Sequence, residues 1–528
     1  MNITKRQFLK GSVASAFAIG SVASASAKAL TPDTKWDDEA DVVVIGFGGA
    51  GASAAITAHD AGSNVLIIEK MDAPGGNTAV SAGGFMIPDD INQARKYLAG
   101  SYQYCHAEMD EQLLDAFCKG TGELRDWLTG LGDNVGMFVY GYAGFKNLEG
   151  ADTIKRYRIR GQKGAPKKGS GDCLFDLLKG AVEKRGIRTM LSTPAVAIIR
   201  DGDEVVGVEV QKNGQKQNIK AKKGVVLATG GYEFDPESLQ NYTMGYGIGA
   251  IGNPGNTGDG LRLAQSMGAK LWHMNAYSAF LGVRYPGYKT SVSISPKGAG
   301  YIWVDQDGKR FSSEKVDGHC QMYVASHLDA VRHCYPRIPC YLIFDQATAD
   351  KGPMGSSLGS GYAINREGHR WSKDLSKEVE MGLLKKANSI AELGKMLNLP
   401  EGQLEKTVEK WNTDVKAGKD TEFGRPIRAK GKGSYTFDGP EISAPIESGP
   451  FYAVELYPTL VNTQGGPRKN VKGQVLDAFG NPIPRLYVAG ELGSMWGPIY
   501  QGACNNAESM VFGRIAGANV AQETPLKE

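Results

Sequence analysis

The feature that most constrains this chain is a glycine loop set between an apolar run and a run of small residues. Asp41-Val42-Val43-Val44-Ile45 reads as a buried strand, Gly46-Phe47-Gly48-Gly49-Ala50-Gly51 as a loop, and residues 52–61 as a helix. Asn64-Val65-Leu66-Ile67-Ile68 follows as a second strand and ends at Glu69 and Lys70. Glycines in such a loop let the backbone approach a pyrophosphate at the first turn of a helix, where unpaired N–H groups and the helix dipole favour an anion. A carboxylate at the end of the second strand, here Glu69, can accept both hydroxyls of a ribose. Strand, loop, helix, strand and acid in that order, within about thirty residues, make a dinucleotide-binding unit.

The 528 residues, 41% hydrophobic and 22% charged, give room for two domains. A net charge of only +3 offers no field for nucleic acid. Residues 1–29 read as an export signal: Thr4-Lys5-Arg6-Gln7-Phe8-Leu9-Lys10, a short apolar stretch, then Ala25-Ser26-Ala27-Lys28-Ala29. The basic run resembles a twin-arginine signal with lysine in the first place, so a periplasmic or otherwise exported protein is expected. The stretch is too short for a membrane helix and no later segment reads as one, so no stable membrane insertion is expected. The seven cysteines form no Cys-x-x-Cys pair and no haem-attachment site. A redox protein of this kind needs a separate electron carrier.

Strand and helix patterns alternate along most of the chain, which places it in the α/β class. A Rossmann-like dinucleotide domain is expected from residues 38–277 and 441–528, interrupted by an α+β cap of residues 278–440. Helices are expected over 111–131, 173–184, 321–332, 376–397, 402–417 and 505–521, with strands alternating over 189–228.

Further glycine stretches extend the pattern. Gly75-Gly76-Asn77-Thr78 and Ser81-Ala82-Gly83-Gly84 follow the first unit, and Ala228-Thr229-Gly230-Gly231 ends a later strand. Asn256-Thr257-Gly258-Asp259-Gly260 opens a helix, and Ala489-Gly490-Glu491 ends a late strand. In this combination the chain, from about Asp41 to its end, resembles the flavoproteins of the fumarate reductase and succinate dehydrogenase superfamily, which includes the 3-ketosteroid dehydrogenases. The resemblance implies FAD, held non-covalently because no flavin-linking histidine motif follows Ser81. It implies an extended FAD on Gly46, Gly48, Gly49, Ala50 and Gly51, with Glu69 on the ribose beside Lys70. Gly76, Asn77, Thr78, Ser81, Ala82, Gly83 and Gly84 would lie beneath the isoalloxazine and pyrophosphate. Thr229, Gly230, Gly231 and Asp259 would stand on the neighbouring turns, Gly490 and Glu491 near the ribityl chain, and Asn505 in the last helix, whose N-terminus faces the flavin.

Members of that superfamily move hydride between the flavin and a carbon–carbon bond beside an electron-withdrawing group. The resemblance therefore implies an FAD-dependent oxidoreductase acting on CH–CH bonds. Fumarate reductases grip two carboxylates with arginines and histidines. At the matching places this chain has Gly318, the arginine-free run 347–351, Asn462-Thr463 and Ile499-Tyr500. Without those guanidinium groups an enone or another weakly charged unsaturated compound is expected rather than a dicarboxylate. Tyr500, in Gly497-Pro498-Ile499-Tyr500-Gln501-Gly502, resembles a tyrosine of the ketosteroid dehydrogenases, where a phenol donates to a ketone oxygen and stabilises an enolate. His319, Glu314 and Tyr142 are the candidate proton-transfer groups. The alternatives are a reductase of an unsaturated carboxylate of the aryl-acrylate type and a non-catalytic flavoprotein that relays electrons. The expected partners are a small unsaturated molecule and an external electron donor or acceptor, a cytochrome or a quinone-linked protein. No metal is expected.

Overall fold

A computed structural model describes residues 26–160, 171–243, 247–316, 319–355, 360–427 and 442–526. The segment 1–25 and the basic loop bearing lysines 163, 167 and 168 lie outside the described residues. The main sheet has nine strands. Its centre is parallel: Asp38–Ile45 lies between Val65–Ile68 and Gln215–Leu227, and the end of Gln215–Leu227 pairs in turn with Pro482–Val488. Val42, Val43 and Val44 are buried, as a strand covered on both faces requires. Ile45 stands opposite Ile68 and Leu227, and Leu227 opposite Val488. The chain thus leaves all four strands at one level, and the turns beginning at Gly46, Glu69, Ala228 and Ala489 meet at one edge. The carboxyl ends of parallel strands are where open α/β sheets bind their ligands.

The helix Gly49–Asp60 lies against the terminal helix Cys504–Ala521. Both are buried on most sides, and their contact is backbone against backbone. A Cβ at Gly513 would stand 2.6 Å from the Ala50 carbonyl oxygen, and one at Gly517 would overlap the Ala54 carbonyl. Small residues spaced one helical turn apart are what bring the last helix beside the first loop.

A second sheet of seven strands carries most of the expected cap. Its central strand is Phe451–Thr463, which pairs with Tyr277–Val283, Cys340–Asp345 and Leu384–Ala387. That strand comes from residues assigned by sequence to the returning dinucleotide domain, so the sheet extends past residue 440. Its far end reaches back to Gly249–Ala250. The helix expected over 321–332 stops at Ala325, and Asp329 draws the N–H groups of Val331 and Arg332 into a turn. The helix expected over 376–397 is Ser376–Glu380, a strand at Leu384–Ala387, and Ile390–Met396. Ser389 and Glu392 start the second helix: Ser389 Oγ accepts from the Glu392 N–H at 3.1 Å, and the Glu392 carboxylate reaches back to the Asn388 N–H at 2.8 Å, one residue before the cap.

Ser26–Ala29, the end of the expected export segment, forms an edge strand beside Ala195–Asp201. Lys28 there pairs with Glu209 at 2.7 Å. Among the described residues no helix is long and apolar enough to cross a membrane. All seven cysteines are thiols. The close helix contact yields a stability test. Gly517→Ala is expected to lower the unfolding free energy by about 1–3 kcal/mol in a urea titration; an unchanged midpoint would mean that the two backbones stand farther apart.

Candidate active site

The convergent turns enclose a groove. Gly46 takes φ +104°, and a Cβ on it would run into the Ala228 carbonyl, so the loop and the neighbouring strand end can meet only through glycine. The N–H groups of Phe47 and Met71 each donate to the Glu69 carboxylate at 2.8 Å. Burial raises Glu69 above the ordinary carboxylate range against those bonds. Each oxygen keeps a lone pair for an incoming hydroxyl. Gly48 caps the helix Gly49–Asp60 without a side-chain acceptor, and the Gly49 N–H donates to Thr78 Oγ1 at 3.1 Å. Lys70 donates to Thr257 at 2.6 Å and pairs with Asp259, which also accepts from Arg262 at 2.8 Å. Lys70 and Asp259 therefore form a closed ion cluster in the groove wall.

Gly46, Gly48, Gly49, Ala50, Glu69, Lys70, Gly76, Asn77, Thr78, Thr229, Gly230, Asp259 and Glu491 all line this groove. Ser81, Ala82, Gly84 and Asn505 line a second cavity of about 960 Å³. Asn77, Thr78, Glu491 and Ser509 belong to both, so the two spaces are continuous. The remaining expected cofactor residues back the walls. Gly51 lies against the Gly46 carbonyl, Gly83 donates to Ser81 Oγ at 3.0 Å, and Gly231 lies under the Glu491 carboxyl. Gly490 takes φ +81°, and a Cβ there would stand 2.7 Å from that of Ala50. Thr229 Oγ1 in the groove and Asn505 Oδ1 in the cavity are buried without a hydrogen-bond partner. Buried polar atoms are rarely left so. A long ligand with polar groups at both ends, as FAD is, fits that donor and acceptor set.

Tyr500 sits in the wall of the large cavity. It is buried, and its hydroxyl accepts the Asn505 N–H at 2.8 Å, which leaves the phenolic proton to donate elsewhere. Burial pushes it well above the usual phenol value, so it stays protonated. The His319 ring meets it edge-on with centroids 5.0 Å apart, and His319 Nδ1 bonds Ser278 Oγ. A Cβ built on Gly502 would lie 2.9 Å from Arg156 Nη1 and 3.0 Å from His319 Nε2, so both nitrogens flank one point beside Tyr500. Arg158 stacks on Tyr140 at 4.0 Å, and both line the cavity. Cys504, buried beside Met86, has its thiol pushed well up by burial and is held neutral.

Two expected proton-transfer groups stand differently. Tyr142 is 55% exposed and is absent from the cavity wall. Val139 pairs with Tyr157 and Gly141 with Arg156, so Tyr140 is an extra, bulged residue; the alternation flips there, and Tyr140 rather than Tyr142 faces the cavity. Glu314 borders the cavity, but its carboxylate is fully engaged. It accepts from the Trp303 N–H at 3.1 Å, from Arg310 Nε and Nη2 at 3.0 Å, and from Arg425 Nη1 at 3.1 Å. Those four donors fill its lone pairs and leave none for a substrate proton. Arg310 also bridges to Asp420, whose carboxyl its charge holds below the usual range. Arg156 and Arg158 escaped the sequence reading. The signal was the alternation in Ile154-Lys155-Arg156-Tyr157-Arg158, which sets both arginines on one face of a strand.

Glu314→Gln is expected to cost about 3–5 kcal/mol of stability, because it removes the carboxylate charge between two buried guanidinium groups. A urea titration reads it. A variant of unchanged stability with a slower reaction would return Glu314 to the chemistry.

Comparison with known proteins bears on the same residues. A family model described as FAD binding domain matches residues 41–506. The NADH:fumarate oxidoreductase of Klebsiella pneumoniae (strain 342) is 30% identical over 94% of this chain, which spans 50% of that protein. The vinyl phenol reductase of Lactiplantibacillus plantarum is 27% identical, with 92% of this chain and 97% of that protein covered. In fold, the 3-ketosteroid delta1-dehydrogenase from Sterolibacterium denitrificans superposes with a TM-score of 0.79 at 24% identity, covering 92% of this chain and 99% of that one.

Proposed function

The chain belongs to the FAD binding domain family, and from that premise we propose an FAD-dependent reductase of a carbon–carbon double bond activated by a neighbouring carbonyl, with an enone or similar weakly charged substrate. The groove residues from Gly46 to Glu491 would hold the cofactor, with Glu69 as ribose acceptor and Asn505 reaching the far end. Bound FAD supplies the hydride chemistry.

The observation that carries the reading is the Tyr500 hydroxyl. It is buried and fixed by the Asn505 N–H at the start of the helix Cys504–Ala521. Its proton is directed to a substrate carbonyl oxygen, and the phenol stabilises charge that develops there. Arg156 adds positive charge at the same end of the cavity. His319, oriented by Ser278, stands where it can exchange a proton with the substrate carbon. Trp496, buried behind Tyr500 with ring centroids 6.3 Å apart, backs the phenol.

A second reading is an unsaturated carboxylate as substrate. Arg156 and Arg158, both in the cavity wall, favour it, since a guanidinium suits a carboxylate. A relay without alkene chemistry is the reading from another class. The basic start of the chain supports export, with electrons delivered by a cytochrome or a quinone-linked protein. Because Ser26–Ala29 is part of the sheet, cleavage after Ala23-Ser24-Ala25 is the site that keeps that strand.

Three outcomes separate the readings. Chemically reduced enzyme is expected to be re-oxidised, by flavin absorbance, with ketone-bearing alkenes faster than with matched enoates. Enoates alone would favour the second reading, and a cytochrome alone the relay. Tyr500→Phe is expected to slow re-oxidation by about tenfold to ten-thousandfold; an unchanged rate removes the phenol from the chemistry. N-terminal sequencing of the exported protein is expected to begin at Ser26, and a start after Ala29 would contradict the strand assignment.

A further inference from the structure

Glu491, at the junction of groove and cavity, faces a second carboxyl that neither space exposes. Glu233 is 2% exposed. Its Oε1 accepts from Asn77 Nδ2 at 2.7 Å and from Asn256 Nδ2 at 3.1 Å, and the same Asn77 amide donates to Glu491 Oε2 at 2.9 Å. Asn77 Oδ1 accepts the Asn253 N–H at 2.7 Å, which fixes the amide with its nitrogen toward both acids. The other two oxygens, Glu233 Oε2 and Glu491 Oε1, are buried without a hydrogen-bond partner. Both lie against one point: a Cβ on Gly231 would stand 2.6 Å from the first and 2.5 Å from the second. Two carboxylates so placed cannot both stay ionised; one proton between them turns the orphaned pair into a hydrogen bond.

We propose that Glu233 is a positioning residue which shares one proton with Glu491, so that this chain's hold on FAD is linked to that proton. The proposal rests on the placement of FAD along the groove. With the proton in place the pair carries one negative charge at the junction. Its loss to solvent leaves two charges beside an anionic cofactor, and repulsion drives Glu491 from its place. The groups facing the pair are uncharged: the amides of Asn77 and Asn256 and the Thr463 hydroxyl, which lies against Gly231. The ionisable neighbour is the Tyr232 phenol, which donates to the Met274 carbonyl at 2.7 Å and is held protonated by burial. Lys70 and Arg262 are engaged by Asp259 and Asp235. Burial raises both carboxyls above the ordinary range; the Glu233 charge raises Glu491 further, while the bond to Glu491 draws Glu233 part of the way back. For an acid raised in the folded state, stability is present at low pH and falls as pH rises through the raised value.

Two measurements test this. The apoprotein at neutral pH is expected to show an infrared carboxylic-acid carbonyl band that Glu233→Gln and Glu491→Gln each remove; a wild type without that band overturns the shared proton, whether or not FAD binds. FAD affinity, read from the fluorescence of released cofactor, is expected to weaken with rising pH by up to about tenfold per unit, the slope for one linked proton. Glu233→Gln keeps a donor and an acceptor for the network and is expected to bind FAD with a flat profile. A variant that keeps the wild-type slope overturns the linkage. A chain that shows the band but binds no FAD at any pH would instead overturn the cofactor placement.

Discussion

The constraint on which the rest depends is the common level at which four parallel strands end. Ile45, Ile68, Leu227 and Val488 stand in register, so turns hundreds of residues apart in the chain open onto one line. Hydrogen-bond register alone brings Gly46, Glu69, Thr229 and Glu491 together. The tight approach of Gly513 and Gly517 to the first helix then sets the terminal helix so that its N-terminus, with Tyr500 and Asn505, closes the far end of the same space. Groove and cavity are thus two stretches of one continuous cleft rather than separate spaces.

Electrostatics divides that cleft. At the groove end the ionised groups are tied to one another: Lys70 and Arg262 to Asp259, and Glu69 to two backbone N–H groups. At the cavity end Arg156 and His319 stand beside a buried neutral phenol, with Arg158 on Tyr140 in the same wall. On the proposed function, charge developing on a substrate oxygen there would meet donors already in place, and such fixed donors stabilise it without reorganising. Arg310, Glu314, Arg425 and Asp420 contain comparable charge but are closed on themselves, and their part is to hold the second sheet to its loops.

The cofactor half of this was largely legible in the sequence, because each piece is local. A glycine loop between strand and helix, and an acid at the next strand end, state their geometry within a few residues. The family match over residues 41–506 and the FAD cofactor agree with that reading. The substrate half was less legible because it depends on distant pairings. Tyr500 could be singled out, but its anchor at Asn505 needed the helix start. The bulge at Tyr140, which turns Tyr142 outward, is invisible without the partner strand. Glu314 looked chemical because a carboxylate in the sequence carries no mark of the two arginines that occupy it. Arg156 was passed over because a basic residue in a strand reads as solvent-facing until the opposing wall is known. The second sheet outran its expected boundary for a related reason: Phe451–Thr463 has no local sign that its partners lie before residue 440.

The central claim is that a substrate carbonyl is held at Tyr500. The most direct measurement is a crystal structure of the FAD-loaded protein with an unreactive saturated ketone in the cavity. The carbonyl oxygen is expected within about 2.7–3.1 Å of the Tyr500 hydroxyl oxygen. A ketone bound with its oxygen turned away from Tyr500, or toward Arg158 instead, would contradict the account.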